Sequence, residues 1–173
     1  HTVWVGDWQR GIAAERNAVV LSVPSVLDPD MAPQGRHVLH GYTPASEPWD
    51  LWGGVARGSE AYNVLKKERC GVFWSVLERK IPDIRDRCEL VMEGTPLTHR
   101  HYLNVHQGSY GPALSAAGGL FPGVTTPIHD LWLCGASTFP GIGIPPVAAS
   151  GALAAHGIVG RQVQRSLLKE LGL

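Results

Sequence analysis

The sequence is poor in cysteine, has no excess of either charge, and contains no long apolar run. Its three cysteines, Cys70, Cys88 and Cys134, form no CxxC pair. An odd, scattered set gives neither a disulfide framework nor a zinc signature, and suits a reducing compartment. Fifteen Lys and Arg balance fifteen Asp and Glu, so the formal net charge is zero. A basic footprint for nucleic acid is missing, and no nucleic-acid partner is expected. No apolar run reaches the roughly 18 residues needed to span a bilayer. The longest, residues 145–159, carries Ser150 and His156. No signal or transit peptide, internal repeat or low-complexity block is visible. The first residue is His1, and the text opens inside what reads as a strand, so we read it as part of a longer chain.

What is present describes a folded, turn-rich chain. Of the 173 residues, 44% are hydrophobic and 17% charged, which excludes a highly charged disordered tail. At this size folding removes roughly 70% of the unfolded surface from water. Gly (21) and Pro (13) together approach a fifth of the chain, well above ordinary usage.

Residues 18–23 (AVVLSV) read as a buried strand ended by Pro24. Residues 36–42 (RHVLHGY) alternate enough for a second strand, which pairs antiparallel with the first across the loop 24–33. Ser59 is a helix N-cap with Glu60 in the first turn. Apolar residues then recur at helical spacing to Lys80, where Pro82 stops the helix. Gly71 weakens its middle by about 1 kcal/mol relative to Ala. Lys66, Lys67, Glu68 and Arg69 read as a solvated helix face. Residues 87–93 (RCELVME) read as a strand. Thr95 and Pro96 open a short helix through Val105. Residues 43–48 and 108–123 are irregular. Residues 131–135 (LWLCG) form an apolar strand, and a long helix follows from Pro146 to Leu171. Alternating strands and helices predict a mixed α/β (α+β) fold.

Residues 131–160 are the most informative. A strand end at Gly135 leads into a glycine-rich turn and then a helix of small residues. The first turn of a helix leaves backbone N–H groups unpaired at the positive end of its dipole, where an electron-rich group gains hydrogen bonds and favourable electrostatics. Gly141 and Gly143 let backbone approach a flat ligand closely. An ordinary strand–turn–helix packing unit has the same outline. The segment is neither a Rossmann fingerprint, since Pro146 stands where a third glycine belongs, nor a P-loop.

Other candidates are weaker. His99-x-His101 with His106 does not share one helix face and has no completing carboxylates, so no metal site is expected. Neither Ser109 nor Ser137 sits in GxSxG. Cys134, at the end of the expected strand, reads as a small core residue. The six tryptophans suit core packing, with an apolar tunnel as the alternative. Tyr110 is a weak candidate for lining a substrate or cofactor site.

The segment Gly135-Ala136 followed by Thr138-Phe139-Pro140-Gly141-Ile142-Gly143 resembles the C-terminal flavin-contact motif of the phytoene desaturase and carotenoid isomerase group. These are FAD-dependent oxidoreductases related to the amine oxidases. Residues 22–29 (SVPSVLDP), 37–47 (HVLHGYTPASE) and 108–113 (GSYGPA) resemble plant and algal plastid members. The resemblance implies the C-terminal part of a two-domain, Rossmann-type flavoprotein. Residues 1–90 would belong to the substrate domain, and residues 91–173 would return to the FAD-binding domain.

It further implies that Gly135, Ala136 and Ser137 lie near the ribityl–phosphate region of FAD, and Gly141, Ile142, Gly143 and Ile144 near its ring. Ala136 stands where many relatives place an Asp. The GxGxxG half is absent from this text, so FAD requires that half on this chain or a partner subunit. The implied activity is desaturation or cis–trans isomerisation of an apolar polyene, in a plastid (stroma or thylakoid-associated), with peripheral membrane association. The alternative is a non-enzymatic structural or assembly subunit derived from such an enzyme, in a membrane pigment–protein complex.

Overall fold

The computed structural model describes residues 1–44, 47–111 and 119–172. The irregular stretches expected at 43–48 and 108–123 therefore lie partly outside the described residues. The chain divides into two compact units, His1–Ser109 and Tyr110–Leu173. Among the described residues there are three strands in one sheet and five helices, a mixed α and β composition as expected from the sequence.

In the first unit, β1 (Thr2–Val5), β2 (Ala18–Ser22) and β3 (His40–Tyr42) form an antiparallel meander with β2 in the centre. The pairing of β2 with β3 follows the sequence reading, but β3 is shorter than residues 36–42. The reason is local. Val38 donates its N–H to Ser25 Oγ at 3.0 Å, and His37 Nδ1 lies 3.1 Å from the same hydroxyl. These groups are held by the buried Ser25 turn rather than by the sheet ladder.

Helix α1 (Glu60–Glu78) starts where Ser59 accepts a hydrogen bond from the Tyr62 N–H. Tyr62, Arg69 and Val76 are seven residues apart and fall on its buried face. Val76 and Leu77 pack on Val19 and Leu21 of β2, joined by Trp4, Phe73 and Trp74. Gly41 of β3 admits this packing, since a Cβ there would meet Leu21 at 2.8 Å. A second cluster joins Trp52, Tyr62 and Leu97, with Trp49 beside it. Four tryptophans thus serve cores, while Trp8 is exposed. The expectation that residues 66–69 form a solvated face fails at Arg69, which is only 7% exposed. Its guanidinium donates to Glu47 through Nε and Nη2, each at 2.9 Å, and pairs with Glu15. The seven-residue spacing from Tyr62 points it inward, and two carboxylates from other segments meet it.

Residues 87–93 do not form a strand. A short helical turn, α2 (Ile84–Arg87), ends at the first of them, with Arg87 Nε donating to Asp83 Oδ2 at 2.8 Å, and residues 88–93 follow without helix or strand. Leu90, Val91 and Met92 are exposed and find no neighbouring strand among the described residues. Helix α3 (Pro96–Leu103) has a reciprocal cap between Thr95 and Thr98. It stops short of Val105 because Asn104 turns left-handed at φ 52°.

Burial pushes the Cys70 thiol up to about 11, with nearby Glu93 adding to the shift and Lys66 opposing it. Cys88 and Cys134 are exposed. Thiol titration of the native protein at neutral pH is therefore expected to show two fast sites and one slow one. Cys70 should react only on unfolding or as the pH nears its own range. Equal rates at all three would refute this.

Candidate functional site

In the second unit, residues 131–135 make only an isolated antiparallel bridge, Thr125 with Trp132, supported by a hydrogen bond from Leu133 N–H to the Val124 carbonyl. The expected buried strand is absent: Leu131, Leu133 and Cys134 are exposed. Apolar β-prone residues need neighbouring strands to become a buried ladder, and only one extended neighbour is present among the described residues. The expected helix from Pro146 to Leu171 is two helices, α4 (Ile144–Val159) and α5 (Arg161–Glu170). Gly160 separates them at φ 79° and returns its N–H to the His156 carbonyl.

The turn between bridge and helix is built on glycine. Gly135, Gly141 and Gly143 have φ of 116°, 120° and 110°, values that L side chains rarely adopt. Gly141 is buried, and a Cβ there would meet the Phe121 ring at 3.1 Å. Nothing lies within 4 Å of a Cβ built at Gly135. Thr138 closes the turn, with both its N–H and its hydroxyl donating to the Gly135 carbonyl, at 3.1 and 2.9 Å. The Phe139–Pro140 peptide is cis. The turn thus reaches Gly143, the N-cap of α4, which has no side-chain cap.

Ser150, met in the sequence only as a polar residue within the apolar run 145–159, fastens the turn to the helix. Its side chain is fully buried. The hydroxyl accepts from the Gly135 N–H at 2.8 Å and donates to the Val147 carbonyl at 2.7 Å. A polar residue amid a run of alanines and glycines was the available signal. Replacing Ser150 by Ala leaves that N–H without its partner and is expected to cost about 1–3 kcal/mol. A thermal melt checks this, and a Thr replacement should retain more of the bond than Ala. An unchanged melting temperature for Ser150→Ala would count against the fastening role.

The sequence-derived candidates come together along this turn. Ala136, Ser137, Ile142, Gly143 and Ile144 are exposed, Ile144 to 87%. Their backbone N–H groups meet no acceptor among the described residues. Gly111 lies against the same turn: a Cβ there would fall 2.7 Å from the Ile142 side chain and 3.3 Å from the Ala136 carbonyl. Tyr110 is therefore one residue from that contact. By contrast, His99, His101 and His106 form no metal cluster, and no group of three metal-ligating side chains converges among the described residues.

These features test the site against FAD. The donors are single backbone N–H groups around open glycine backbone, which suits a flat ring with a carbonyl edge. Pro145 and Pro146 have no N–H, so the first turn of α4 offers Gly143 and Ile144 alone. That set is too sparse to hold a phosphate but adequate for one oxygen. The residues present fit the ring end of such a cofactor.

The glycine turn and the helix it opens belong to a mixed α and β protein. The chain is 36% identical over 160 residues to prolycopene isomerase 2, chloroplastic, of an Oncidium hybrid cultivar, covering 90% of this chain and 26% of that protein. It is 37% identical over 160 residues to the chloroplastic prolycopene isomerase of Daucus carota, covering 90% and 25%. It is 28% identical over 169 residues to the neurosporene-forming phytoene desaturase of Rhodobacter capsulatus, covering 90% and 31%. Over nine-tenths of its length, then, the chain is homologous to the group containing carotenoid isomerases and phytoene desaturases. It spans about a quarter of the length of the prolycopene isomerases it matches. No family model matches the chain. No solved structure matches it.

Proposed function

We propose that this chain is the C-terminal part of an FAD-dependent carotenoid isomerase of the plastid, acting on a poly-cis polyene such as prolycopene. The supporting observation is its 36–37% identity to chloroplastic prolycopene isomerases across most of the chain, against 28% to the bacterial desaturase. That contrast favours isomerisation over desaturation. These relatives are isomerases and a desaturase, which lends the scaffold-subunit alternative no support.

In this reading residues 1–90 belong to the substrate domain, and residues 91–173 return to the FAD-binding domain. Bound FAD supplies the redox chemistry at its ring. The chain's own residues orient it. Gly135, Ala136 and Ser137 face the ribityl–phosphate region, and Gly141 and Ile142 bring backbone against the ring. The N–H groups of Gly143 and Ile144 donate to the ring's carbonyl edge, where a helix N-terminus favours negative charge. Tyr110, beside the Gly111 contact, lines the substrate side. The nucleotide-binding half comes from elsewhere in the same protein or from a partner subunit.

The test is the visible absorption spectrum of the natively isolated protein, with released cofactor identified by fluorescence. A stoichiometric flavin spectrum is expected, together with conversion of cis to trans polyene without change of mass. A flat spectrum unchanged by added FAD would refute the cofactor. A product two hydrogens lighter would replace isomerase by desaturase.

A further inference from the structure

Helix α5 carries a charge pattern unlike the rest of the molecule. Between Tyr110 and Leu173 the Lys and Arg residues number three, Arg161, Arg165 and Lys169, and all fall on this helix. Spaced four apart, they form one row along it. Among the described residues none of the three has an acidic partner, whereas α1 pairs Lys66 with Glu93 and Arg69 with Glu47 and Glu15. Glu170 is the one acid on the helix.

Beside this row runs an apolar stripe. Val163, Leu167, Leu168 and Leu171 are between 42 and 63% exposed. Ile158 and Val159, just before the Gly160 bend, are exposed too and extend the apolar surface onto the end of α4. The bend is fastened, since Gln164 Nε2 donates to the Ala152 carbonyl at 2.9 Å and its Oε1 lies 3.0 Å from His156 Nδ1. No helix among the described residues is long and apolar enough to cross a membrane.

We propose that α5 is a membrane-surface helix that lies on an anionic lipid bilayer. Its leucine stripe enters the headgroup boundary, and the Arg161–Arg165–Lys169 row meets the lipid phosphates. A basic amphipathic helix suits this interface, because apolar area supplies adhesion and the basic row is complementary to anionic headgroups. A protein core would suit the stripe alone and would leave a row of three unpaired cations along its border. Lipid binding by this helix requires neither flavin nor polyene.

The test uses the full-length protein with sedimented vesicles of phosphatidylcholine, with and without phosphatidylglycerol. Binding is expected only with the anionic lipid, and it should fall as salt is raised. Replacing Arg161, Arg165 and Lys169 by Gln should weaken it roughly fivefold per residue. Hydrogen exchange over residues 161–171 is expected to slow only when anionic vesicles are added. Equal binding by the triple variant would overturn the proposal. So would amides already protected without lipid, which would place the helix against the rest of the protein. These readouts are independent of cofactor content, so an absent flavin spectrum leaves this inference standing.

Discussion

Arg69→Ala is expected to cost about 3–5 kcal/mol of folding stability, the range for removing one partner of a buried ion pair. The guanidinium is 7% exposed and satisfies two carboxylates brought from distant segments. Burial alone would lower its pKa. The hydrogen bonds and charges of Glu47 and Glu15 outweigh that and raise it, so Arg69 stays charged at every relevant pH. Without it Glu47 keeps one donor, Trp52 Nε1 at 3.2 Å, and an uncompensated charge. Adding Glu47→Gln to Arg69→Ala should therefore recover part of the loss. Urea denaturation of the single and double variants measures both. A loss below about 1 kcal/mol, the size seen for exposed pairs, would mean that solvent reaches the cluster.

Gly108→Ala is expected to cost at least about 3 kcal/mol, combining overpacking with a left-handed backbone. Gly108 sits at φ 68°, and a Cβ there would stand 2.1 Å from the Pro96 carbonyl oxygen and 2.7 Å from its Cα. Those atoms are backbone, in the first turn of α3, and cannot swing away as a side chain can. Either α3 or the segment leading to Tyr110 must move. Gly54→Ala provides the control: nothing lies within 4 Å of its Cβ and its φ is ordinary, so it should stay within about 0.5 kcal/mol. Equal melting temperatures for the two variants would contradict the steric account.

Local signals in the sequence carried through wherever the determinant was local. Ser59 and Thr95 marked helix starts because an N-cap depends on residues within one turn. The pairing of β2 with β3 was legible from a buried apolar run, an alternating run and the loop between them. Residues 87–93 and 131–135 read as strands because β-prone composition describes a side of the problem only, and a strand also needs a partner. Arg69 was misread for the opposite reason: its partners Glu15 and Glu47 are distant in sequence and invisible to periodicity. At the candidate site the glycines were legible because their role is backbone geometry. The Ser150 bridge was not, since its partner Gly135 is fifteen residues away.

Pro145 and Pro146 at the start of α4 have a chemical consequence. A helix start ordinarily attracts any small anion, because several N–H groups converge on it. Here the two pyrrolidine rings withdraw two of those groups and leave a weak, narrow welcome. Inorganic phosphate or a nucleotide tail, which needs several donors at once, gains little by stopping there. A neutral ring oxygen loses almost nothing. Under the proposed function the turn is thereby selective through what it withholds, and abundant phosphate esters would not compete for the place assigned to a flat ring.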